Sequence, residues 1–149
     1  MPAGPDSSIV LVDGPWNHRM VRANGIAMHV AELGSGPLVL LLHGFPQFWC
    51  AWRRQLVDLA DAGFHAVAVD LRGFGATDKP PRGYDAPNLA ADLAALVTSL
   101  GEQDATVVGS DLGGLLAWAM AANHREVVRS MVLLGAAHPL RLRAAIARD

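Results

Sequence analysis

The sequence predicts an α/β fold: a mostly parallel, doubly wound sheet preceded by an antiparallel hairpin. Three observations predict it. Leu38–Leu42 is an unbroken aliphatic run, the pattern of a strand buried on both faces of a parallel sheet. Strand and helix patterns then alternate along the chain, as βαβ units require. Finally, Val107-Val108-Gly109-Ser110-Asp111-Leu112-Gly113-Gly114 places small residues where a buried strand turns directly into a helix.

The elements follow in order. Residues 1–15, rich in Pro, Gly, Ser and Asp, are expected as a flexible N-terminal arm, and residues 16–149 as one domain. His18–Ala23 and Ile26–Leu33 flank Asn24-Gly25, a hairpin turn signal. Gly34-Ser35-Gly36-Pro37 separates this hairpin from the strand Leu38–Leu42. Trp52, Leu56 and Leu59 recur at i, i+4 and i+7, predicting a first helix that Gly63 closes. Phe64–Val69 is the next strand, with Asp70 at its carboxyl end. A Gly- and Pro-rich excursion from Arg72 to Arg82 follows, in which Asp70, Arg72 and Asp78 are expected to hold the loop together. Leu89, Leu93, Leu96, Val97 and Leu100 draw the apolar stripe of a second helix, with Gly101 as its C-cap. Ala105–Val108 reads as a strand, Leu112–Ala122 as a helix, Val127–Leu134 as the sixth strand, and Arg141 to Arg148 as an arginine-rich tail.

Composition narrows the function classes. A chain of 149 residues, 52% hydrophobic and 17% charged, can bury a core and is unlike a disordered segment. The formal net charge is −2 with the basic residues scattered, so neither a nucleic acid nor a membrane surface is an expected partner. The single cysteine, Cys50, excludes an internal disulfide and fits a reducing compartment, so a cytoplasmic location is expected. The first twenty residues lack the apolar core of a signal peptide. The longest aliphatic run falls far short of the ~20 residues that span a bilayer. Neither a metal-ligand cluster nor a Gly-x-Gly-x-x-Gly loop occurs, so no metal and no cofactor are expected.

The strand-to-helix turn carries the chemistry. A residue at such a turn is backbone-strained and needs small neighbours two positions before and after it; Gly109 and Gly113 satisfy that around Asp111. A serine reading centred on Ser110 fails, because Val108 and Leu112 would occupy the small positions. An aspartate is ionised at neutral pH without a base and can attack an sp³ carbon to form an alkyl ester. Upstream, His43-Gly44-Phe45-Pro46 makes a tight turn able to aim the Phe45 N–H at the same place as the Leu112 N–H, forming a candidate oxyanion hole. Asp111 is thus expected on a strained turn with its carboxylate in a pocket and both N–H groups beside it. Trp49 and His138 are the candidate pocket-lining residues.

The segments His43-Gly44-Phe45-Pro46-Gln47-Phe48-Trp49, Asp70-Leu71-Arg72-Gly73-Phe74-Gly75-Ala76-Thr77-Asp78-Lys79-Pro80, Gly109-Ser110-Asp111-Leu112-Gly113-Gly114 and Ala136-Ala137-His138-Pro139 occur in one order. In that order they resemble the α/β-hydrolase fold superfamily, and within it the epoxide hydrolases. The resemblance implies a hydrolase that opens small or medium apolar epoxides through an ester on Asp111, which water then cleaves. It also implies a cap carrying tyrosines, and a water-activating His with its acid, all downstream of the last strand here. The chain is therefore expected to be a partial core, truncated after the sixth strand and unable to turn over alone. This reading admits a separate chain that supplies the cap and C-terminal part. Dehalogenases of the same superfamily resemble one another in placing Asn or Phe after His-Gly and Trp or Arg after the nucleophile. Phe45 fits one of these patterns; Leu112 departs from both, and equally from the Trp common at that place in epoxide hydrolases. A dehalogenase-type enzyme and a catalytically dead core binding a ligand or partner are the alternatives. His18, His29, His65 and His124 are expected as surface or packing residues, and His43 as a loop-shaping one.

Overall fold

The computed structural model describes residues 6–147. Six strands form one sheet, β1 (Asn17–Ala23), β2 (Ile26–Leu33), β3 (Leu38–Leu42), β4 (His65–Val69), β5 (Ala105–Ser110) and β6 (Val128–Leu134), in spatial order β1-β2-β4-β3-β5-β6. β1 pairs antiparallel with β2, and β2 antiparallel with β4; the pairs β4–β3, β3–β5 and β5–β6 are parallel. The hairpin turns on Asn24 and Gly25, whose φ values of 48° and 81° lie in the left-handed region that a two-residue turn of matching twist requires.

β3 lies in mid-sheet and is buried at every position. Leu38, Leu40 and Leu42 face one layer while Val39 and Leu41 face the other. The first layer is filled by α2 (Ala86–Ser99) and α3 (Leu112–Asn123) through Leu93, Leu96, Val97, Leu116 and Met120. The second is filled by a 3-10 turn, Trp49–Trp52, and α1 (Arg53–Asp61) through Trp49, Trp52 and Leu56. Helices on both faces of a mostly parallel sheet are the doubly wound arrangement. Among the described residues no helix is long and apolar enough to cross a membrane.

The structure departs from the sequence reading in three places. β5 runs two residues beyond Val108, because Ser110 still pairs with Leu134 of β6. The arginine-rich tail is largely a helix, α4 (Pro139–Ile146), begun by Pro139 and capped by His138, whose Nδ1 accepts from the Leu140 N–H at 3.2 Å. None of its residues is buried, which is why it left no apolar stripe to read. Within the expected arm, residues 1–5 lie outside the described part. Ser7–Val10 forms a 3-10 turn, and the Val10 carbonyl accepts from the Trp49 indole N–H at 2.7 Å. His29, expected as a surface or packing residue, is packed in the interior and bonded to Asp70.

The loop after β4 is held by buried polar bonds. Asp92 of α2 takes Arg72 Nε and Nη2, each at 2.7 Å, and also the Asn24 amide at 2.7 Å. One carboxylate thereby ties the second helix to both the loop and the hairpin turn.

Candidate active site

β5 ends at Ser110 and α3 begins at Leu112, leaving Asp111 alone at the junction with φ 51° and ψ −115°. Left-handed φ is strained for a residue with a side chain. Packing imposes the strain. A Cβ on Gly109 would lie 2.3 Å from the Gly113 carbonyl oxygen, and one on Gly113 would lie 2.2 Å from that of Leu42. No side chain fits at either place, so α3 sits directly on β5 and β3. The Asp111 N–H donates to the Leu134 carbonyl at 3.0 Å, and its own carbonyl accepts from Leu115 at 3.1 Å. The backbone is thus held on both sides while the carboxylate projects beyond the carboxyl ends of the strands, where open α/β sheets place ligands.

The second component is the turn after β3. The Gln47 N–H donates to the Gly44 carbonyl at 2.9 Å, and the Gln47 side chain accepts from the Gly44 N–H at 3.2 Å. The Phe45–Pro46 peptide is cis. A Cβ on Gly44 would stand 3.0 Å from that of Asp111, so a side chain there would press the loop away from the elbow by a few tenths of an ångström. The Phe45 N–H then donates to Asp111 Oδ2 at 3.0 Å. The Leu112 N–H, at the start of α3, acts on the same carboxylate. Phe45 first and Leu112 second hold the Asp111 carboxyl below the usual carboxylate range, although desolvation works slightly against them. Phe45 and Leu112 thus both act on the Asp111 carboxyl group, from turns built on His43, Gly44 and Pro46 on one side and on Gly109 and Gly113 on the other.

His43 is fully buried and serves the loop. Its Nδ1 bonds the Gly44 carbonyl at 2.9 Å, and its Nε2 accepts from the Leu71 N–H at 3.1 Å. Burial lowers its pKa, so the ring is neutral with its proton on Nδ1. Gln47, which the sequence reading passed over, braces the same turn, and only its position after Pro46 hinted at that.

Two expectations need correcting. The Asp111 carboxylate stands on an open face, because among the described residues nothing lies over it, and neighbouring Phe45 is 69% exposed. Trp49 lines no part of this face. Its N–H is drawn to Asp70 Oδ1 at 2.8 Å, which turns the fully buried indole inward against Trp16, His18 and His29. His138 borders a largely apolar cavity of about 450 Å³ with Leu115, Trp118 and Leu140, and meets the Trp118 ring edge-to-face at 4.5 Å.

Comparison with known proteins identifies the family. A family described as alpha/beta hydrolase fold matches residues 37–147. The chain belongs to that family. Within it, the chain is similar to epoxide hydrolases. It is 45% identical over 119 residues to epoxide hydrolase 2 of Siraitia grosvenorii, covering 78% of this chain and 38% of that protein. It is 42% identical to bifunctional epoxide hydrolase 2 of Sus scrofa over 112 residues, which are 74% of this chain and 20% of that one. The crystal structure of an epoxide hydrolase from Vigna radiata superposes with a TM-score of 0.80 at 38% identity, covering 89% of this chain and 46% of that one. The chain thus spans less than half the length of the relatives it matches.

Proposed function

We propose that this chain carries the nucleophile of an epoxide hydrolase, and that Asp111 opens small or medium apolar epoxides through an alkyl-enzyme ester. The observation that carries this reading is the Phe45 N–H bound to Asp111 Oδ2 at the strained end of β5. Phe45 occupies Oδ2, which makes Oδ1 the oxygen assigned to the attack. In the first step Oδ1 bonds to an epoxide carbon, the ring C–O bond breaks, and its electron pair passes to the epoxide oxygen, which takes a proton from solvent water. In the second step water adds to the ester carbon. The oxygen that then becomes anionic is Oδ2, already bound by the Phe45 N–H, with the Leu112 N–H acting on the same carboxyl group, the donors an oxyanion hole requires. Small apolar epoxides suit the exposed apolar surroundings of Phe45 and Leu115. The names of the relatives also favour an epoxide over a halide substrate.

The second step needs a base, and each described histidine is engaged elsewhere. His43 is neutral and buried, His29 bonds Asp70, and His18 bonds His29. His65 bonds Glu32, His124 lies near Glu126 at a helix end, and His138 caps α4. This favours alkylation without turnover by these residues alone. Incubation with a styrene-oxide-like epoxide should therefore add one substrate mass per chain by intact-mass spectrometry, and Asp111→Ala should add none. An adduct that survives Asp111→Ala would overturn the nucleophile, and sustained diol formation would overturn the missing base.

The pH dependence has a definite sign. Two N–H donors hold the carboxyl below its ordinary value, so the anion remains the dominant form below the usual carboxylate range. The initial rate of adduct formation should be level from about pH 8 down to about pH 5, where an ordinary carboxylate near ~4 has begun to titrate. A fall centred near neutral pH would point to some other ionising group.

A further inference from the structure

Away from the elbow, a row of hydrogen bonds runs through the sheet's edge and leaves one proton to be accounted for. Asp70 Oδ2 meets His29 Nδ1 at 2.8 Å, His29 Nε2 meets His18 Nδ1 at 2.9 Å, and His18 Nε2 meets the Val12 carbonyl at 2.9 Å. Both ends of the row are acceptors. Burial raises the Asp70 carboxyl, but His29 and the N–H groups of Trp49 and Ala76 outweigh it, so Asp70 is held below the usual range and is anionic. The Val12 carbonyl can only accept. A hydrogen must therefore stand on His29 Nδ1 and another on His18 Nε2, and a third must lie between the two rings. Two neutral imidazoles carry two hydrogens; these three contacts need three.

We propose that His18 and His29 share one extra proton, balanced by Asp70, and that this charged pair is a pH-sensitive clamp on the segment from Val10 to Trp16. The surroundings suit a shared charge. The rings stack with centroids 5.1 Å apart, and the Trp49 ring stands edge-on to both. Asp70 is the charge in direct contact. Of the other groups nearby, Arg19 of β1 borders the adjoining cavity but is spent on Glu32 of β2, and Asp78 of the following loop bonds the Ala27 N–H. The 3-10 turn contributes only uncharged Trp49 at this place. A cavity of about 370 Å³, lined by Leu11, His18, Arg19, Met20, His29 and Ala76, gives water access to the pair.

Removing the shared proton leaves one of the three contacts as two facing lone pairs. The weakest point is the partly exposed end, where His18 meets Val12. That carbonyl would then keep only its bond from the Trp16 indole, at 2.9 Å. The neighbouring Val10 carbonyl would remain on Trp49 alone, so loosening should spread to the Trp49 indole N–H. Trp49 also takes Asp70 Oδ1 through its backbone, so the clamp adjoins the loop that carries Phe45.

The test is a titration of the 149-residue chain by nitrogen-resolved NMR between about pH 5 and about pH 9, the interval that brackets histidine. At the acid end, three of the four ring nitrogens of His18 and His29 should be protonated. Rising pH should remove one proton from the pair as a unit, while the Trp49 indole resonance moves in step. His18→Phe keeps an aromatic ring against His29 but carries no proton, and should show the high-pH Trp49 resonance at every pH. Two rings losing protons independently, with the Trp49 resonance unchanged, would overturn the proposal. So would a His18→Phe chain with the acid-form Trp49 resonance. The wild-type titration decides the matter even if the variant fails to fold.

Discussion

Gly113→Ala should unfold the elbow and abolish adduct formation together. The added Cβ would stand 2.2 Å from the Leu42 carbonyl oxygen, 2.6 Å from its carbon and 2.8 Å from the His43 carbonyl oxygen. All three are backbone atoms of β3 or the residue after it, so no side chain can rotate aside. The helix must lift from the sheet, carrying the Leu112 N–H away from Asp111. Overpacking a close-fitted site costs typically 1–3 kcal/mol, and a clash with strand backbone belongs at about 3 kcal/mol or above. Chemical denaturation should register that loss. Gly101→Ala is the contrast: nothing lies within 4 Å, and only its φ of 85° is strained, for about 1 kcal/mol. Equal losses in the two variants would mean that α3 is not seated as tightly as its glycines imply.

Asp92→Ala should destabilise the fold by about 3–5 kcal/mol, because it strands the Arg72 guanidinium in the interior. Arg72 is 8% exposed and Asp92 1%. Two of the guanidinium's bonds go to Asp92, which leaves only Nη1 on the Arg82 carbonyl at 3.1 Å. The same substitution frees the Asn24 amide, at the positive-φ corner of the hairpin. Replacing both ions with apolar residues, as in Arg72→Met with Asp92→Leu, should cost less than Asp92→Ala alone, since no charge is then left without a partner. A double-mutant cycle measured by urea denaturation would show this, and additive losses would contradict it.

The sheet was legible because its strands are either wholly apolar or punctuated by turn residues. Leu38–Leu42 and Asn24-Gly25 needed no tertiary information. The elbow was legible for a related reason: the demand for Gly109 and Gly113 is steric and local, so it is written in the sequence. What escaped was whatever depends on partners far along the chain. Asp92 sits 20 residues from Arg72 and 68 from Asn24, and nothing local to α2 marks it as more than a solvated acid. His18 and His29 lie on facing strands, but their link to Asp70 requires the β2–β4 pairing, which no periodicity predicts. Trp49 is a pocket-lining candidate in the sequence, but its bonds to Asp70 and Val10, both distant along the chain, turn it inward.

The bond from Phe45 to a single oxygen of Asp111 has a stereochemical corollary. A free carboxylate offers two equivalent oxygens and can rotate to present either. Here the Phe45 N–H distinguishes them by binding Oδ2, so on the proposed function a substrate would meet two unequal oxygens. If the substrate is the proposed epoxide, the enantiomer that reacts would be decided by how it lies against that pair of oxygens. Mutations that alter enantiopreference should accordingly map to the surfaces that orient the substrate, around Phe45 and Leu115, and leave the geometry of the nucleophile unchanged.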